Sequence, residues 1–326
     1  MITLPKHLKL ANLPTKIERL ERYFSDYEVN VFIKRDDQTG SELSGNKVRK
    51  LEFSIQEALD EGAKTLITCG GIQSNHARAT VAAAAKLGLK SIVVLRRDEE
   101  IEPDGNYFLD LLLGADVHFV GSEEFANRLP EILNEIKAEC DAKGENGYIL
   151  PVGASNGIGT FGYFKAMEEI LSQENELGIE FDTIVATVGS AGTYAGLLLA
   201  NKAYNAGKKV VGINVSATAE HFVARTKELF IEASEYLGEK YVATDDEIHI
   251  IDGYVGLGYA ISQPHEIKFI KDFARTEGII LDPVYTGKCM YGFSEEMKKG
   301  TFKDSKNILF IHTGGIFGLF PARGEF

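Results

Sequence analysis

The sequence lacks the features of exported, membrane-spanning and nucleic-acid-binding proteins. Its start, MITLPKHLKLANLPTK, has no long apolar stretch, and no uncharged apolar run of about 18 residues occurs later. The chain has 35 Lys and Arg against 48 Asp and Glu, a formal net charge of −13, and no dense basic run. Such a chain repels phosphate backbones and anionic membranes. We therefore expect a cytoplasmic protein that binds neither nucleic acid nor a membrane.

Cysteine is scarce, and the histidines form no metal-binding pattern. The three cysteines, Cys69, Cys140 and Cys289, lie far apart and include no C-x-x-C pair, which argues against a disulfide framework and for a reducing compartment. None of the seven histidines belongs to an H-x-x-x-H or H-E-x-x-H pattern, so we expect no metal site. Cys69 and Cys289 lie in motifs described below, but no obvious base accompanies them, and we interpret both as packing residues.

Short apolar runs alternate with helical patterns along the chain. Several runs, such as TIVATV and NILFIH, are almost continuously apolar, which is typical of strands that helices cover on both faces. Helical spacing of apolar residues appears around 51–59, 75–87, 129–142 and 265–275. The alternation predicts an α/β protein with mostly parallel sheets. The predicted strands are Val29–Lys34, Thr65–Cys69, Ser91–Leu95, Asp116–Val120, Thr183–Val188, Lys209–Val215, Gly278–Leu281 and Asn307–His312.

A chain of 326 residues is long enough to form two domains. The glycine-rich stretch GASNGIGTFG, residues 153–162, is the best internal break. We expect a small domain formed by residues 50–159. The flanking segments, residues 1–49 and 160–326, are expected to form a larger domain.

A glycine-rich loop follows the predicted strand TIVATV and precedes a helix. Its spacing fits neither the dinucleotide fingerprint nor a P-loop, and no acidic residue is placed to bind a ribose. Small residues at a helix N-terminus let backbone N–H groups approach an anion, so the loop indicates a cup for a single phosphate. A tight turn without a ligand is the alternative. The residues of this loop are Val188, Gly189, Ser190, Ala191, Gly192 and Thr193.

Lys47 follows a Ser-Gly-Asn turn at the start of a predicted helix, with Arg49 and Lys50 close behind. A lysine in that place is most often solvated surface charge. However, positive residues at a helix N-terminus oppose the helix dipole, so three together suggest a compensating anion or a special role. A lysine so placed can have a lowered pKa and act as a nucleophile.

Two further loops carry polar residues just after predicted strands. Ser74, Asn75 and His76 follow the run TLIT and open a helix, where Ser74 or Asn75 can be a helix cap, a ligand contact or both. His76 either orients Asn75 or packs. Tyr285 lies between a proline and a glycine beyond the run GIIL, a position that favours a site over the core.

Five motifs in order, GNKVRKLE, CGGIQSNHA, VGSAGTYAG, DPVYTGK and IHTGG, resemble the pyridoxal-phosphate enzymes of the ACC deaminase/D-cysteine desulfhydrase family. The resemblance covers nearly the whole chain, from IKRDD to IHTGGIFG. It implies fold type II, with two open, twisted, mostly parallel α/β lobes and pyridoxal 5'-phosphate in the cleft between them. It also implies a homodimer that acts on a small amino acid.

The resemblance assigns roles to residues of this chain. Lys47 would hold the cofactor covalently and later take the α-proton of the substrate. Lys50 would contact the cofactor phosphate together with the loop from Val188 to Thr193, and Asn75 would hydrogen-bond the ring 3-hydroxyl. Ser74 would contact the substrate carboxylate. The two tyrosines that would line the substrate side are Tyr259 and Tyr285.

Two positions separate the members of this family. The ACC deaminase signature has a glutamate after the motif tyrosine and a leucine in the C-terminal motif, whereas this chain has Thr286 and Thr313. A carboxylate beside the pyridine nitrogen would keep that nitrogen protonated and help to open a cyclopropane, which a hydroxyl cannot do. The threonine pair therefore resembles D-cysteine desulfhydrase, which releases pyruvate, ammonia and hydrogen sulfide.

Three alternatives remain open at this point. The alternatives to D-cysteine desulfhydrase are an ACC deaminase, an L-cysteate sulfo-lyase and an amino-acid-binding protein without activity. Expulsion of sulfite would need an additional cation, which the sequence does not locate. A binding protein would have no need of Lys47.

Overall fold

The computed structural model describes residues 2–326, which form two sheets flanked by helices. The strands are β1 Ile17–Arg19, β2 Asn30–Lys34, β3 Thr65–Gly71, β4 Lys90–Arg96, β5 Asp116–Val120, β6 Gly147–Ile149, β7 Thr183–Val188, β8 Lys209–Asn214, β9 His249–Ile251 and β10 Asn307–Ile311. The helices are α1 Asn46–Asp60, α2 Asn75–Leu87, α3 Gly105–Leu112, α4 Ser122–Ala142, α5 Gly157–Leu177, α6 Gly192–Ala203, α7 Ala219–Leu237, α8 Pro264–Glu277 and α9 Thr286–Lys298.

Both sheets are parallel apart from one edge strand. The larger has the order β1-β2-β10-β7-β8-β9, and only β1 runs antiparallel to its neighbour. The smaller has the order β5-β4-β3-β6 and is parallel throughout. The predicted α/β class with two domains and mostly parallel sheets is confirmed.

Helices cover both faces of the larger sheet, which explains its apolar strands. In β7, Ile184 and Ala186 face one cluster of buried side chains, whereas Val185 between them faces another. A strand with both faces buried does not alternate between polar and apolar residues. The run TIVATV was therefore a reliable strand signal.

One predicted strand is wrong and three short strands were not predicted. Residues 278–281 form no strand, because Gly278 ends α8 in the left-handed conformation at φ 70° and the following residues pair with no sheet. The unpredicted strands β1, β6 and β9 have three residues each, too few to give a periodic signal. The other seven predicted strands are present with bounds shifted by at most two residues.

The four-stranded sheet uses residues 65–149, and the six-stranded sheet uses segments on either side of that range. The predicted domain limits at residues 49/50 and 159/160 fall inside α1 and α5, so their exact place stays a prediction. Within residues 2–326, no helix has the length and apolar character that crossing a bilayer requires. The same residues contain no cluster of His, Cys, Asp and Glu able to hold a metal ion.

Candidate active site

A cavity of about 300 Å³ lies where the carboxyl ends of strands from both sheets meet. Ligands of open α/β sheets collect at such an edge. Ten of the fourteen predicted site residues line it: Lys47, Ser74, Asn75, Gly189, Ser190, Ala191, Thr193, Tyr259, Tyr285 and Thr313. The other four, Lys50, Val188, Gly192 and Thr286, lie behind this lining.

Lys47 is held at the start of α1 by the loop that follows β10. The backbone N–H of Asn46 donates to the carbonyl of Thr313 at 3.1 Å. Gly45 has φ 91°, and a Cβ there would lie 2.8 Å from the same carbonyl oxygen, so this turn requires glycine. The Lys47 Nζ donates to Asn46 Oδ1 at 3.0 Å, and Asn46 Nδ2 donates to Thr193 Oγ1 at 2.9 Å.

The amine of Lys47 is prepared to react as a neutral nucleophile. Burial lowers the pKa of Lys47 to about 8, the nearby charge of Asp282 opposes this shift, and that of Arg78 adds to it. At pH 7 roughly a tenth of the amine is then neutral, against about one part in several thousand for an ordinary lysine. A neutral lysine amine can bind an aldehyde covalently or accept a proton.

The loop predicted to be an anion cup connects β7 to α6 and lies at the cavity. Ala191 has φ 64°, which places the N-terminus of α6 and the Gly192 N–H beside the cavity. Ser155 Oγ accepts from Gly192 N at 3.3 Å and lies 2.8 Å from Ser190 Oγ. A Cβ on Gly192 would approach Ser155 Oγ to 2.6 Å, so a larger residue would displace this contact.

Lys50 gives a test of whether a phosphate fits the cup. Its side chain is fully buried, and its Nζ donates to Ser155 Oγ at 3.1 Å. No acidic side chain among the described residues pairs with it, and burial together with the charge of Lys47 holds its pKa well below the usual value. A buried ammonium without a partner is costly, and a phosphate at the N-terminus of α6 would supply the missing negative charge. The cup therefore fits pyridoxal phosphate, with Lys50 acting through Ser155.

Arg49 has a different role from its two basic neighbours. It donates to Asp36 Oδ1 at 2.8 Å and to Glu169 Oε1 at 3.0 Å, on the side of α1 away from the cavity. Of the three basic residues at the helix start, one is thus compensated by protein carboxylates. The other two, Lys47 and Lys50, are left for the cavity and the cup.

Ser74 caps α2 and lines the cavity, and Asn75, the first residue of α2, also lines the cavity. Ser74 Oγ accepts from Ala77 N at 3.1 Å as the N-cap of α2, and Ser74 still lines the cavity. Asn75 Oδ1 accepts from Asn106 Nδ2 at 3.0 Å, which leaves the Asn75 Nδ2 group as a donor for a ligand oxygen. His76 does not orient Asn75, because its Nε2 is instead 2.7 Å from Thr68 Oγ1.

Tyr259 and Tyr285 form a pair at the side of the cavity. The Tyr285 hydroxyl donates to the Tyr259 hydroxyl at 2.9 Å, and the rings meet edge to face. Burial raises the pKa of both phenols, so both are neutral. The Tyr285 ring centre is 5.9 Å from Lys47 Nζ, and Tyr259 packs against Gly71, where a Cβ would come within 2.6 Å of the ring.

The two threonines that distinguish members of the family have different surroundings. Thr286 donates its hydroxyl hydrogen to Asp282 Oδ1 at 2.6 Å and accepts from Asp282 N at 2.9 Å, behind the cavity lining. Thr313 lines the cavity itself. In the described part of the chain, no aspartate or glutamate lines the cavity.

Sequence reasoning missed three residues of the site: Arg96, Asn106 and Ser155. Arg96 ends β4 at the same sheet edge as the predicted loops, so its position after a strong strand signal was the cue. The other two act through hydrogen bonds between distant segments, which no local pattern reveals. Cys69 and Cys289 are buried free thiols whose pKa burial raises to about 12, which agrees with a packing role.

Similar proteins identify the family of this chain. Residues 8–314 match the family described as "Pyridoxal-phosphate dependent enzyme". A Thermotoga maritima protein named putative 1-aminocyclopropane-1-carboxylate deaminase is 44% identical over 96% of this chain and 97% of its own. The bifunctional D-cysteine desulfhydrase/1-aminocyclopropane-1-carboxylate deaminase of Arabidopsis thaliana mitochondria is 40% identical over 97% of this chain and 80% of its own.

A solved structure shares the whole architecture. The crystal structure of an ACC deaminase homologue superimposes with a TM-score of 0.89 at 38% identity, over 99% of this chain and 95% of that chain. The family match, the two relatives and this structure extend over both sheets and every loop that lines the cavity. The chain therefore belongs to the pyridoxal-phosphate-dependent enzymes, and pyridoxal 5'-phosphate is its cofactor.

Proposed function

We propose that the protein catalyses β-elimination of D-cysteine to pyruvate, ammonia and hydrogen sulfide. The observation that carries this proposal is a cavity without a lining carboxylate, with threonine at both distinguishing positions, Thr313 in the lining and Thr286 behind it. A thiolate leaves readily without a strongly protonated pyridine ring. Opening the unactivated ring of ACC depends more heavily on such a charge.

The chain's own groups account for binding and proton transfer. When bound, pyridoxal phosphate spreads the negative charge that develops on the substrate α-carbon. The neutral amine of Lys47, with its pKa of about 8, takes the α-proton. Asn75, whose Oδ1 is taken by Asn106, would donate from its Nδ2 group to the ring oxygen of the cofactor, and the cup at α6 with Lys50 behind it would hold the phosphate.

Residues on the opposite side of the cavity bind the substrate. Ser74, at the N-terminus of α2, holds the substrate carboxylate with its hydroxyl and nearby backbone donors. Tyr259 accepts the hydroxyl hydrogen of Tyr285 and so keeps its own hydrogen free. That hydrogen is available to a sulfur that departs from the β-carbon.

ACC deaminase is the second candidate, and the names of the relatives favour it. The Thermotoga maritima protein carries that name alone, and the Arabidopsis thaliana protein carries both activities. Sulfite release from L-cysteate is the third candidate. A binding protein without activity is the weakest, because a buried lysine with a lowered pKa has no use in a mere binder.

Two further properties belong to this proposal. The protein is proposed to form a homodimer, which light scattering would report as twice the 35.8 kDa mass of the chain. It is proposed to work in the cytoplasm, in keeping with three cysteines that are all unpaired.

Parallel assays of the cofactor-loaded protein test the reaction. D-cysteine, L-cysteine, ACC and L-cysteate are supplied separately, and sulfide, sulfite, pyruvate and 2-oxobutyrate are measured. We expect D-cysteine to give the highest kcat/KM and Lys47→Ala to abolish both turnover and the violet absorbance of the bound cofactor. Faster release of 2-oxobutyrate from ACC than of sulfide from D-cysteine would overturn the proposal.

A further inference from the structure

Arg96 brings an additional positive charge to the substrate side of the cavity. It is the last residue of β4 and pairs in register with Gly71 of β3, the residue on which Tyr259 packs. Its guanidinium carbon lies 5.4 Å from the centre of the Tyr259 ring and 5.9 Å from that of Phe125. Arg96 and both rings line the cavity.

The guanidinium forms no ion pair with the protein. Within residues 2–326, no carboxylate lies within ion-pair distance of Arg96 and its guanidinium makes no hydrogen bond to the protein; the acidic group that its charge affects is the exposed Asp98, whose pKa it helps to lower. The next residue, Arg97, lies outside the cavity, with its guanidinium 3.5 Å from the Phe119 ring centre. A half-buried guanidinium that faces a cavity and keeps five unused donors is suited to an anion.

Arg96 is not among the groups to which the substrate carboxylate and the cofactor phosphate are assigned. The carboxylate is assigned to Ser74 and the N-terminus of α2, and the phosphate to the cup at α6. Arg96 instead lies beside the ring of Tyr259, and the hydroxyl of Tyr259 has a hydrogen available to a departing group. Under the roles assigned in the proposed function, its charge therefore acts on the β-substituent of the substrate.

We propose that Arg96 determines specificity by selecting substrates whose β-substituent carries negative charge, a thiolate or a sulfonate, over substrates with a neutral side chain. This proposal rests on the β-elimination proposed above and narrows its substrate class. A cysteine thiol has an ordinary pKa of about 8.5, so a nearby cation favours the thiolate that must leave. The ring of ACC offers no charge for Arg96 to bind.

An equilibrium binding experiment tests this proposal without turnover. D-aspartate and D-asparagine have the same shape, differ in the charge of the β-substituent and lack a good leaving group. Calorimetry on the cofactor-loaded protein at pH 7.5 is expected to give about tenfold tighter binding of D-aspartate than of D-asparagine. In Arg96→Gln the ratio should fall to about one, whereas the matched control Arg97→Gln should keep it.

Each other outcome has a defined meaning. An unchanged ratio of the two affinities in Arg96→Gln overturns the proposal. If the ratio is unchanged because both ligands bind equally more weakly, Arg96 binds the α-carboxylate that they share. Arg96→Lys keeps the charge and should keep a preference for D-aspartate, which guards against a folding defect of the glutamine variant. The L-enantiomers are measured in parallel: if only they bind, the D-cysteine assignment fails while their ratio still tests Arg96.

Discussion

At the scale of single residues, the reactivity of Lys47 depends on where its charge is placed. The side chain is withdrawn from water at the start of α1, with the Arg78 charge close enough to disfavour its protonated form. Asp282 is the acidic group that opposes this effect, and it is itself buried behind the tyrosines. A small change in these surroundings therefore changes how much neutral amine is present at physiological pH.

The uptake of pyridoxal phosphate should follow the pKa of Lys47. Because only the neutral amine reacts, the uptake rate should rise with pH, reach half its plateau near pH 8 and level off above it. Stopped-flow recording of the violet absorbance on cofactor-free protein measures this profile. Lys47→Arg should show no uptake at any pH. A rate that keeps rising to pH 10 would mean that the protein leaves this lysine unperturbed.

Asn106 should control cofactor affinity although it does not line the cavity. Its Nδ2 donates to Asn75 Oδ1, and its Oδ1 accepts from Arg78 Nε at 3.2 Å, which fixes the direction of the Asn75 amide. Without Asn106 that amide is free to turn its oxygen toward the cofactor oxygen. We expect Asn106→Ala to weaken cofactor binding about tenfold, since an unsatisfied buried partner costs about 1–3 kcal/mol.

Equilibrium dialysis of the cofactor measures this effect, and the shift of its absorbance maximum reports the changed hydrogen bond. Asn175→Ala, on an exposed part of α5, is the matched control and should leave both values unchanged. If Asn106→Ala bound the cofactor like the parent protein, Asn75 would be oriented by other contacts.

Local motifs were enough to predict most of the polar residues that line the cavity, but not the residues that distant segments bring to it. Lys47 and Ser74 each stand in a short stretch with turn and helix-start signals, so their chemistry is visible in the sequence. Arg96 belongs to the site because β4 lies next to β3 in register, and Asn106 belongs to it through one hydrogen bond across 31 positions. Contacts of that kind arise from the packing of distant segments.

At the scale of elements, α1 connects the reactive lysine to the rest of the molecule. Arg49, two residues further along the same helix and so on its opposite side, is held by Asp36 and Glu169, and Tyr163 donates to Asp36 Oδ2 at 2.6 Å. Arg49 and Asp36 are fully buried. This cluster fixes the rotation of α1 and with it the direction in which Lys47 points.

Removing the charge of Asp36 should loosen this helix. We expect Asp36→Asn to lower the free energy of unfolding by about 3 kcal/mol, because Arg49 would keep a buried charge with one carboxylate fewer. Urea denaturation measures the change. Asp272→Asn, which breaks an exposed pair with Lys268, is the control and should cost less than about 0.5 kcal/mol. Equal losses of unfolding free energy in the two variants would mean that the buried cluster stabilises the protein no more than an exposed ion pair does.

The stabilisation of the protein by the Asp36 carboxylate depends on pH in a direction that follows from its pKa. Despite burial, Arg49 and Lys34 lower the pKa of Asp36 from 3.8 to about 2. A carboxyl whose pKa is lowered by folding stabilises the protein above its ordinary pKa, and this stabilisation is lost as the pH falls toward the lowered value. The difference between the parent protein and Asp36→Asn should therefore be constant above about pH 5 and shrink between pH 4 and about 2.

Strand length decided which elements the sequence could predict. Strands of five or more residues with both faces buried, such as β7 and β10, give continuous apolar runs. The three-residue strands β1, β6 and β9 exist because longer neighbours offer free edges. Conversely, residues 278–281 look like a strand since Ile279 and Leu281 are buried, but these side chains pack in a cluster on one face of the larger sheet and the segment pairs with no strand.

At the scale of the whole molecule, alternation of strands and helices was sufficient for the fold class but not for the division of the chain. The two sheets follow from buried parallel strands, a property that the sequence displays directly. The predicted limits between the lobes fall within α1 and α5, helices that contact each other, and only the second limit lies in a stretch of unusual composition, the glycine-rich residues 153–162. Composition therefore indicates two units and leaves their exact boundary open to experiment.

The molecule as a whole is acidic, but its cavity is lined by cations and by no acidic residue. This contrast affects the rate at which an anionic cofactor associates. A dianion arriving from bulk solvent first meets long-range repulsion from the net charge of −13 and feels attraction only at the mouth. Added potassium chloride shortens the range of that repulsion. Between about 10 and 150 mM salt, the association rate of pyridoxal phosphate should therefore increase, the reverse of ordinary electrostatic steering, while its dissociation also becomes faster.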